Sequence, residues 1–200
     1  MGRKKTHSRE ELLARSMEIF RDHGFAGTSV DMLVAQIGVS RYSLYAEFGN
    51  MQGIFEAALD LYNDSIIELR FGPLEQPEAG LKEIRDLLDF YGAAGAGPAV
   101  GRGCLLCNTA IEFGPQDPTG NAPVQRYFNR LSGAFTNALE NARQQGDLPE
   151  ELAVGKEADL LTSVILGLFV LIRAKAPPST IEHAASLAKN RLEAWTADTP

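Results

Sequence analysis

The residues from Val39 to Asn50 combine hydrogen-bonding side chains with apolar ones at helical spacing. The segment VSRYSLYAEFGN holds one arginine, two serines and two tyrosines. Val39, Leu44 and Phe48 lie roughly one turn apart and would anchor a short helix to a core, which leaves the polar side chains toward solvent. Arginine can pair with a guanine edge or a phosphate, and tyrosine offers a hydroxyl on a stiff ring. The segment therefore predicts a nucleic-acid contact surface, with ordinary exposed polar residues as the alternative.

The N-terminal arm carries a cluster of positive charge. Four basic residues precede the first acidic one, Glu10. Such an arm can bind phosphate, and a solubilising tail is the alternative. The predicted DNA contacts are Arg3, Lys4, Lys5, Thr28, Ser40, Arg41, Tyr42, Ser43 and Tyr45.

The two cysteines, Cys104 and Cys107, form a CLLC pair. A structural zinc site is not expected, because a second cysteine pair and a nearby histidine are missing from the sequence. At a helix N-terminus and beside Arg102, the Cys104 thiol would have a lowered pKa suited to reaction with oxidants or electrophiles. A buried structural cysteine is the alternative.

The larger, later part of the chain holds many aromatic residues and few polar ones between its predicted fourth and eighth helices. This composition suits an apolar ligand pocket with a few orienting contacts, although each aromatic residue could equally belong to a core. Asn108 and Glu112 lie one turn apart and are the candidate polar contacts. The predicted ligand-binding residues are Tyr62, Phe90, Tyr91, Cys104, Cys107, Asn108, Ile111, Glu112, Tyr127, Phe128, Leu131 and Phe169.

Composition and net charge argue against some classes of protein. The 200 residues are 44% hydrophobic, enough for a real core, and carry a formal net charge of -7, which argues against coating nucleic acid by bulk charge. The longest apolar run is too short to cross a bilayer, and the start lacks an apolar signal sequence. We therefore expect a cytoplasmic protein without membrane contact.

Helical periodicity dominates the chain, which predicts an all-α fold. Caps and breakers divide it into nine helices, the second of them capped by Thr28 with Asp31 in a reciprocal box. Two short helices joined by a turn at Gly38 and packed on a longer first helix are typical of a helix-turn-helix. The predicted helices span about 8–23, 28–38, 40–48, 51–70, 78–92, 104–113, 123–145, 155–175 and 179–196.

The stretch from TSVDMLVAQIGVSRYSLYAEFGN through IFEAALDLY resembles the N-terminal domain of the TetR family of bacterial transcriptional regulators. The resemblance is specific over residues 8–60, and the remainder agrees in its nine-helix architecture. It implies a DNA-binding domain over 1–50 and a ligand-binding and dimerisation domain over 51–200. The segment GCLLCNTAIEF also resembles the entry to the sixth helix in a subgroup that senses small reactive or apolar compounds.

Two positions depart from the family pattern. Members commonly carry a histidine before the closing phenylalanine of the third helix and a lysine at the start of the fourth, where this chain has Glu47 and Met51. Because a carboxylate near the DNA backbone costs affinity, operator binding is expected to be weak or salt-sensitive.

The last two predicted helices supply a candidate dimer interface. The helix over 155–175 is apolar on nearly all sides and so needs a partner on each face, and the resemblance implies a four-helix bundle between two subunits. The alternative is that both helices are core of one chain. The predicted interface residues are Leu161, Ile165, Leu168, Ile172, Ala184, Ala188, Leu192 and Trp195.

These observations predict a homodimeric repressor that binds a palindromic double-stranded DNA operator and is released by a small apolar or reactive effector. No cofactor and no metal are expected. Motifs typical of enzymes are missing from the sequence, including a nucleophile elbow, a phosphate-binding loop and a dinucleotide fingerprint. The alternative is an all-α ligand-binding or interaction protein with weakened or lost DNA binding.

Overall fold

A computed structural model describes residues 7–113 and 118–197. Within these ranges the chain is helical and contains no strand, which confirms the predicted all-α, nine-helix architecture. The helices are α1 (Arg9–His23), α2 (Val30–Ile37), α3 (Arg41–Phe48), α4 (Met51–Tyr62, continued by a π-helical turn, Asn63–Ile67, and by Glu68–Phe71), α5 (Leu81–Ala93), α6 (Leu105–Glu112), α7 (Pro118–Gln144), α8 (Val154–Arg173) and α9 (Pro178–Ala197).

Local capping chemistry explains where the first helices begin and end. The Ser8 hydroxyl oxygen accepts a hydrogen bond from the Glu11 backbone N–H at 3.2 Å, and the Glu11 carboxylate accepts one from Ser8 N–H at 3.0 Å. This is the predicted capping box of α1. Gly38 ends α2 with φ of 81°, a left-handed conformation that glycine adopts without strain.

The predicted cap of α2 at Thr28 is wrong by one residue. Ser29 is the N-cap, and its hydroxyl oxygen accepts a hydrogen bond from Met32 N–H at 3.1 Å. Thr28 is buried at 7% exposure, and its hydroxyl donates to the Gly24 carbonyl oxygen at 2.6 Å. The reciprocal box with Asp31 therefore does not form.

Two helix boundaries also differ from the sequence prediction. The helix predicted to start at Pro123 starts at Pro118, since proline suits the first position of a helix as well as the end of the preceding loop. The helix predicted over 51–70 is interrupted by the π-helical turn Asn63–Ile67. A π turn inserts one extra residue, so the side chains before and after it point in different directions than a regular helix would give.

The core joins the first three helices to the rest of the chain through α4. Phe55 on α4 is fully buried and contacts Phe20 on α1, with ring centroids 4.9 Å apart. Phe25, which follows α1, lies 4.9 Å from Phe55 and 5.4 Å from Phe113 at the end of α6. This aromatic cluster ties the helix-turn-helix to the larger part of the chain. None of the helices within 7–113 and 118–197 is long and apolar enough to cross a membrane.

Candidate nucleic-acid interface, cavity and dimer surface

Helix α3 has an exposed polar face and a buried apolar residue on its opposite side. Leu44 is fully buried, whereas Arg41, Tyr42 and Ser43 are exposed, Tyr42 to 82%. Tyr45 is half-buried and packs against the core. A side chain this exposed packs against little of the protein and is available to contact a partner.

The start of α3 is held by the serines of the sequence motif. Ser40 is the N-cap, and its hydroxyl oxygen accepts from Ser43 N–H at 3.1 Å. The two serine hydroxyl oxygens lie 2.9 Å apart and share a hydrogen bond. Each hydroxyl keeps unused hydrogen-bonding capacity toward solvent, because a hydroxyl can donate once and accept twice.

Arg41 forms an ion pair that the sequence pattern does not predict. Its Nη2 atom lies 2.6 Å from Oδ1 of Asp31 on α2, and the hydrogen bond and charge of Asp31 raise the pKa of the guanidinium. Both side chains are more than half exposed, at 55% and 80%, so the pair adds little stability. Its main effect is to orient Arg41 and to place a negative charge on the same surface.

The structure supports the other predicted DNA contacts less well. Thr28 points inward and its hydroxyl is already hydrogen-bonded, so Ser29, which is exposed, is the better candidate at the start of α2. Arg3, Lys4 and Lys5 lie outside the described residues. Glu47 and Met51 are both half-buried.

A cavity of about 210 Å³ lies between α4, α5, α8 and the segment before α6. Four of the twelve predicted ligand residues line it: Tyr62, Phe90, Tyr91 and Phe169. Three arginines that the sequence pattern did not predict also line the cavity: Arg21, Arg70 and Arg102. They could not be found from local pattern, because they come from α1, from α4 and from the loop before α6.

The other eight predicted ligand residues lie outside this cavity. Cys104, Cys107, Tyr127 and Leu131 are buried in the core, and Phe128 packs against it. Asn108 donates through Nδ2 to the Arg102 carbonyl oxygen at 2.8 Å. Ile111 is 71% exposed, and Glu112 contacts the loop after α1. The prediction that Asn108 and Glu112 orient a ligand together therefore has no support from this cavity.

Both cysteines are free thiols in an environment that disfavours the thiolate. Burial raises the pKa of the Cys104 thiol, and this outweighs the opposing hydrogen bonds from Tyr127 and Tyr62. Burial, followed by the proximity of Cys104, raises the pKa of the Cys107 thiol to about 12. The prediction of a lowered Cys104 pKa is wrong because desolvation exceeds any effect of the helix N-terminus. In the described residues, no three His, Cys, Asp or Glu side chains come together as a metal site.

These pKa directions give a testable expectation for alkylation. The thiolate fraction of Cys107 at pH 8 would be on the order of a thousandfold below that of a free thiol. We expect iodoacetamide to react with the native protein at pH 8 at least about 100-fold more slowly than with the urea-unfolded chain. The native rate should still rise at pH 10, where the rate for the unfolded chain levels off. Rapid stoichiometric labelling of the native protein at pH 7 would contradict this.

Comparison with known proteins identifies the family. Residues 12–58 match the family described as bacterial regulatory proteins, tetR family, and residues 80–188 match the tetracyclin repressor-like C-terminal domain. The HTH-type transcriptional regulator YezE of Bacillus subtilis is 32% identical over 194 residues, covering 96% of this chain and 100% of YezE. The chain belongs to the TetR family.

Further relatives and solved structures agree with this assignment. The HTH-type transcriptional repressor ComR of Escherichia coli is 27% identical over 198 residues, covering 97% of this chain and 91% of ComR. The TetR family regulator CifR, solved as a cysteine mutant with 26-bp operator DNA, superposes with a TM-score of 0.81 at 24% identity, covering 97% of this chain and 100% of that chain. Reduced E. coli NemR gives 0.73 at 21% identity, covering 91% and 95%.

Membership of the TetR family establishes the general function of the chain. This TetR-family chain is a DNA-binding transcriptional regulator with a helix-turn-helix. Its family and relatives are regulators and not enzymes, which confirms the expectation that it has no catalytic role. The predicted division at residue 50 and the individual DNA, ligand and dimer contacts stay predictions.

The predicted dimer residues need correction in this TetR-family fold. Five of them are buried in the single chain with exposures of 2% or less: Leu161, Ile165, Leu168, Ile172 and Leu192. Two of these five, Leu161 and Leu192, nevertheless line the groove between α8 and α9. Ala188 is buried at 8%, and Ala184 and Trp195 are half-buried. Burial therefore argues against Ile165, Leu168 and Ile172 as interface residues, and the dimer surface itself stays a prediction.

The outward face of the same helices is apolar and grooved. Leu160 and Leu187 are 38% and 68% exposed, and they border a groove of about 240 Å³ between α8 and α9 that also includes Val164. Gly167 on this face has open space where a Cβ would lie. At one end, the buried Glu157 carboxylate pairs with Arg191, whose Nε and Nη2 atoms donate at 2.9 and 2.5 Å. Exposed apolar surface of this kind suits an interface.

Three polar contacts join α1 to the larger part of the chain, and we call them the α1 junction. The Glu112 carboxylate accepts from the backbone N–H groups of Phe25, at 3.0 Å, and Ala26. Arg102 pairs with Glu18 at 2.5 Å and with Asp22 at 2.6 Å. Arg173 donates through Nη1 to the carbonyl oxygens of Arg21 and Asp22, each at 3.2 Å.

The junction explains the ionisation of Glu18. Burial alone would raise the pKa of its carboxyl, but hydrogen bonds from Arg102 and Arg21 outweigh burial and lower it. A carboxyl with a lowered folded-state pKa stabilises the protein above its unfolded pKa, and that contribution is lost as pH falls through the folded value. Glu18 is therefore charged at neutral pH, and its pairing with Arg102 is intact there.

Removing the Glu112 charge should weaken the junction. In the Glu112→Gln variant, the amide nitrogen faces a backbone donor, so one hydrogen bond is lost. Because the site is exposed, we expect the free energy of unfolding to fall by only about 1 kcal/mol, which lowers Tm by about 2–4 °C. The matched control is Glu151→Gln, an exposed carboxylate after α7. Equal Tm values for the two variants in calorimetry would rule out the Glu112 contact.

Proposed function

We propose that the protein is a repressor that binds a pseudo-palindromic operator as a homodimer and is released by a small molecule bound in the cavity. The observation that carries this proposal is the exposed polar face of α3, with Tyr42 outward and Leu44 buried behind it. In a helix-turn-helix the second helix enters the major groove with its N-terminal residues at the base edges. Arg41, Tyr42 and Ser43 occupy that end of α3.

The proposal of a homodimer follows from the small area of DNA that one recognition helix can contact. A single short helix contacts too little DNA for tight and selective binding, and a two-fold dimer places two such helices about 34 Å apart in successive major grooves. The outward apolar face of α8 and α9, with Leu160 and Leu187, is the proposed contact. In a two-fold dimer the same surface of each subunit meets its copy, so this apolar face would pack against another apolar face.

The relatives support repression as the direction of control. ComR is a transcriptional repressor, and the CifR structure contains operator DNA. Binding over a promoter blocks transcription without any activating contact, so a dimer that only binds DNA is sufficient for repression. Such a regulator acts in the cytoplasm, where its operator lies.

Effector release would act through the α1 junction. The cavity and the junction share Arg21 and Arg102. A molecule that moves these side chains therefore also changes the contacts between α1 and the larger part of the chain. A change in α1 tilts the helix-turn-helix, and the two α3 helices then no longer match successive grooves. The route requires the ligand to favour one of two dimer arrangements.

The test is a titration of purified protein against DNA flanking its own gene, at several salt concentrations, with unrelated DNA of equal length as the control. We expect one palindromic site bound at least about 1,000-fold more tightly than the control DNA, with log K falling linearly against log salt. Asp31 and Glu47 near α3 repel phosphate, so they lower the affinity, and most strongly at low salt. Binding that never exceeds the control would support the alternative, a ligand-binding protein with lost DNA binding.

A further inference from the structure

The cavity beside α1 has an unusual lining for its size. It combines aromatic side chains, Tyr62, Tyr91 and Phe169, with the guanidinium groups of Arg21, Arg70 and Arg102. Among the described residues, no aspartate or glutamate lines it. At about 210 Å³ it is smaller than typical sites for drug-sized ligands, which are roughly 300–1,000 Å³. It therefore suits a small ligand with an apolar body.

The positive charge at this cavity is not fully balanced. Arg21 pairs with Glu18 at 2.9 Å, and Arg102 pairs with Glu18 and Asp22. Arg70 instead lies over the Phe90 ring, 3.6 Å from its centroid, and forms no ion pair within the described ranges. Three guanidinium groups thus share two carboxylates in a chain whose net charge is -7. An anion in the cavity would neutralise the one guanidinium charge that the two carboxylates do not balance.

The mouth of the cavity is apolar and open to solvent. Leu69 and Phe90 line it and are 63% and 41% exposed. Stacking on Phe90 holds Arg70 at this mouth, with its donors available in the plane of the guanidinium. A planar carboxylate can accept two parallel hydrogen bonds from such a group. A neutral amide offers the guanidinium one carbonyl oxygen only, so it accepts fewer hydrogen bonds and forms no ion pair.

We propose that the effector is a small organic acid, an aromatic or aliphatic carboxylate no larger than a two-ring compound. Its carboxylate pairs with Arg70 and Arg102, and its apolar body packs against Tyr62, Tyr91 and Phe169. This inference rests on the proposed function, since it names the class of ligand for the same cavity.

Charge competition links this ligand to DNA release. Arg102 bridges to Glu18 and Asp22 of α1 and also donates to the Glu18 carbonyl oxygen at 3.3 Å. A carboxylate in the cavity competes with those two side chains for the same guanidinium. Binding therefore loosens α1, the first helix of the helix-turn-helix, without any contact between ligand and DNA-binding residues.

The proposal is tested by calorimetry of the full chain with two matched pairs of probes. Benzoate is compared with benzamide, and 2-naphthoate with 2-naphthamide, because each pair differs in charge and hardly in shape. We expect at least one acid to bind at least about tenfold more tightly than its amide. That preference should fall below about threefold in Arg70→Met, which keeps an unbranched side chain but removes the charge, and persist in Arg70→Lys, which keeps the charge. Circular dichroism checks that both variants fold.

Three calorimetric results would overturn the proposal, and a fourth comes from DNA binding. The calorimetric results are absence of binding by both acids, equal affinity for acid and amide, and a preference that Arg70→Met leaves unchanged. The bound acid should also lower operator affinity, and an acid that binds without this effect is not an effector. Failure of the proposed function is separate, because it shows as absence of specific DNA binding with no probe present, whereas calorimetry needs no DNA.

Discussion

The Leu187→Asp variant is expected to be monomeric and to bind the operator at least about 100-fold more weakly than the unchanged protein. Leu187 is 68% exposed on the outward face of α9, beside the groove that it forms with α8. At a two-fold interface one substitution introduces two carboxylates into apolar surface, where each loses hydration without gaining a partner. Because the side chain is exposed in the single chain, the subunit itself should still fold.

Size-exclusion chromatography with light scattering measures the first effect, and operator titration measures the second. The matched control is Leu69→Asp, which makes the same change at a leucine that is 63% exposed but lies at the cavity mouth. The control should remain dimeric. A dimeric Leu187→Asp protein would show that the α8 and α9 face is not the contact, and a monomeric unchanged protein would remove the dimer altogether.

The Tyr42→Ala variant is expected to lose about 10- to 100-fold in operator affinity. One specific base contact contributes about 1–3 kcal/mol of discrimination, and Tyr42 is the most exposed large side chain of α3, at 82%. Since this side chain packs against so little of the protein, Tm should stay unchanged. Titration of operator DNA and of unrelated DNA, side by side, measures the loss.

A second substitution separates the two parts of the tyrosine. Tyr42→Phe keeps the ring and removes the hydroxyl, so it reports whether a hydrogen bond or a ring contact carries the affinity. Lys82→Ala, an exposed change on α5 that removes an ion pair with Asp86, is the control and should bind as the unchanged protein does. If Tyr42→Ala weakens binding to operator and unrelated DNA equally, Tyr42 does not read bases.

Features set by neighbouring residues were predictable from the sequence. The Ser8 and Glu11 capping box, the Ser40 cap of α3 and the left-handed Gly38 all depend on residues at most four positions apart. The cap of α2 was predicted one residue early because Thr28 and Ser29 offer the same hydroxyl. Only the hydrogen bond from Thr28 to Gly24 decides which residue is free to cap.

Burial was harder to predict where a helix is apolar all round. Helix α8 has hydrophobic residues on every side, so its pattern could not tell the core face, with Leu161 and Ile165, from the outward face, with Leu160 and Val164. The cysteines show the same limit. Helix position predicts a reactive Cys104, whereas burial raises the pKa of its thiol in spite of hydrogen bonds with Tyr127 and Tyr62.

The sequence by itself determined the all-α class, most helix limits and the outward face of α3, because these follow from periodicity and from contacts within a turn or two. Tertiary structure alone decided what distant residues do together. Glu112 binds a backbone segment more than 80 positions earlier, and Arg70 and Arg102 meet at one cavity. Local pattern carries no information about such pairs, since only packing of the whole chain sets their distance, burial and charge balance.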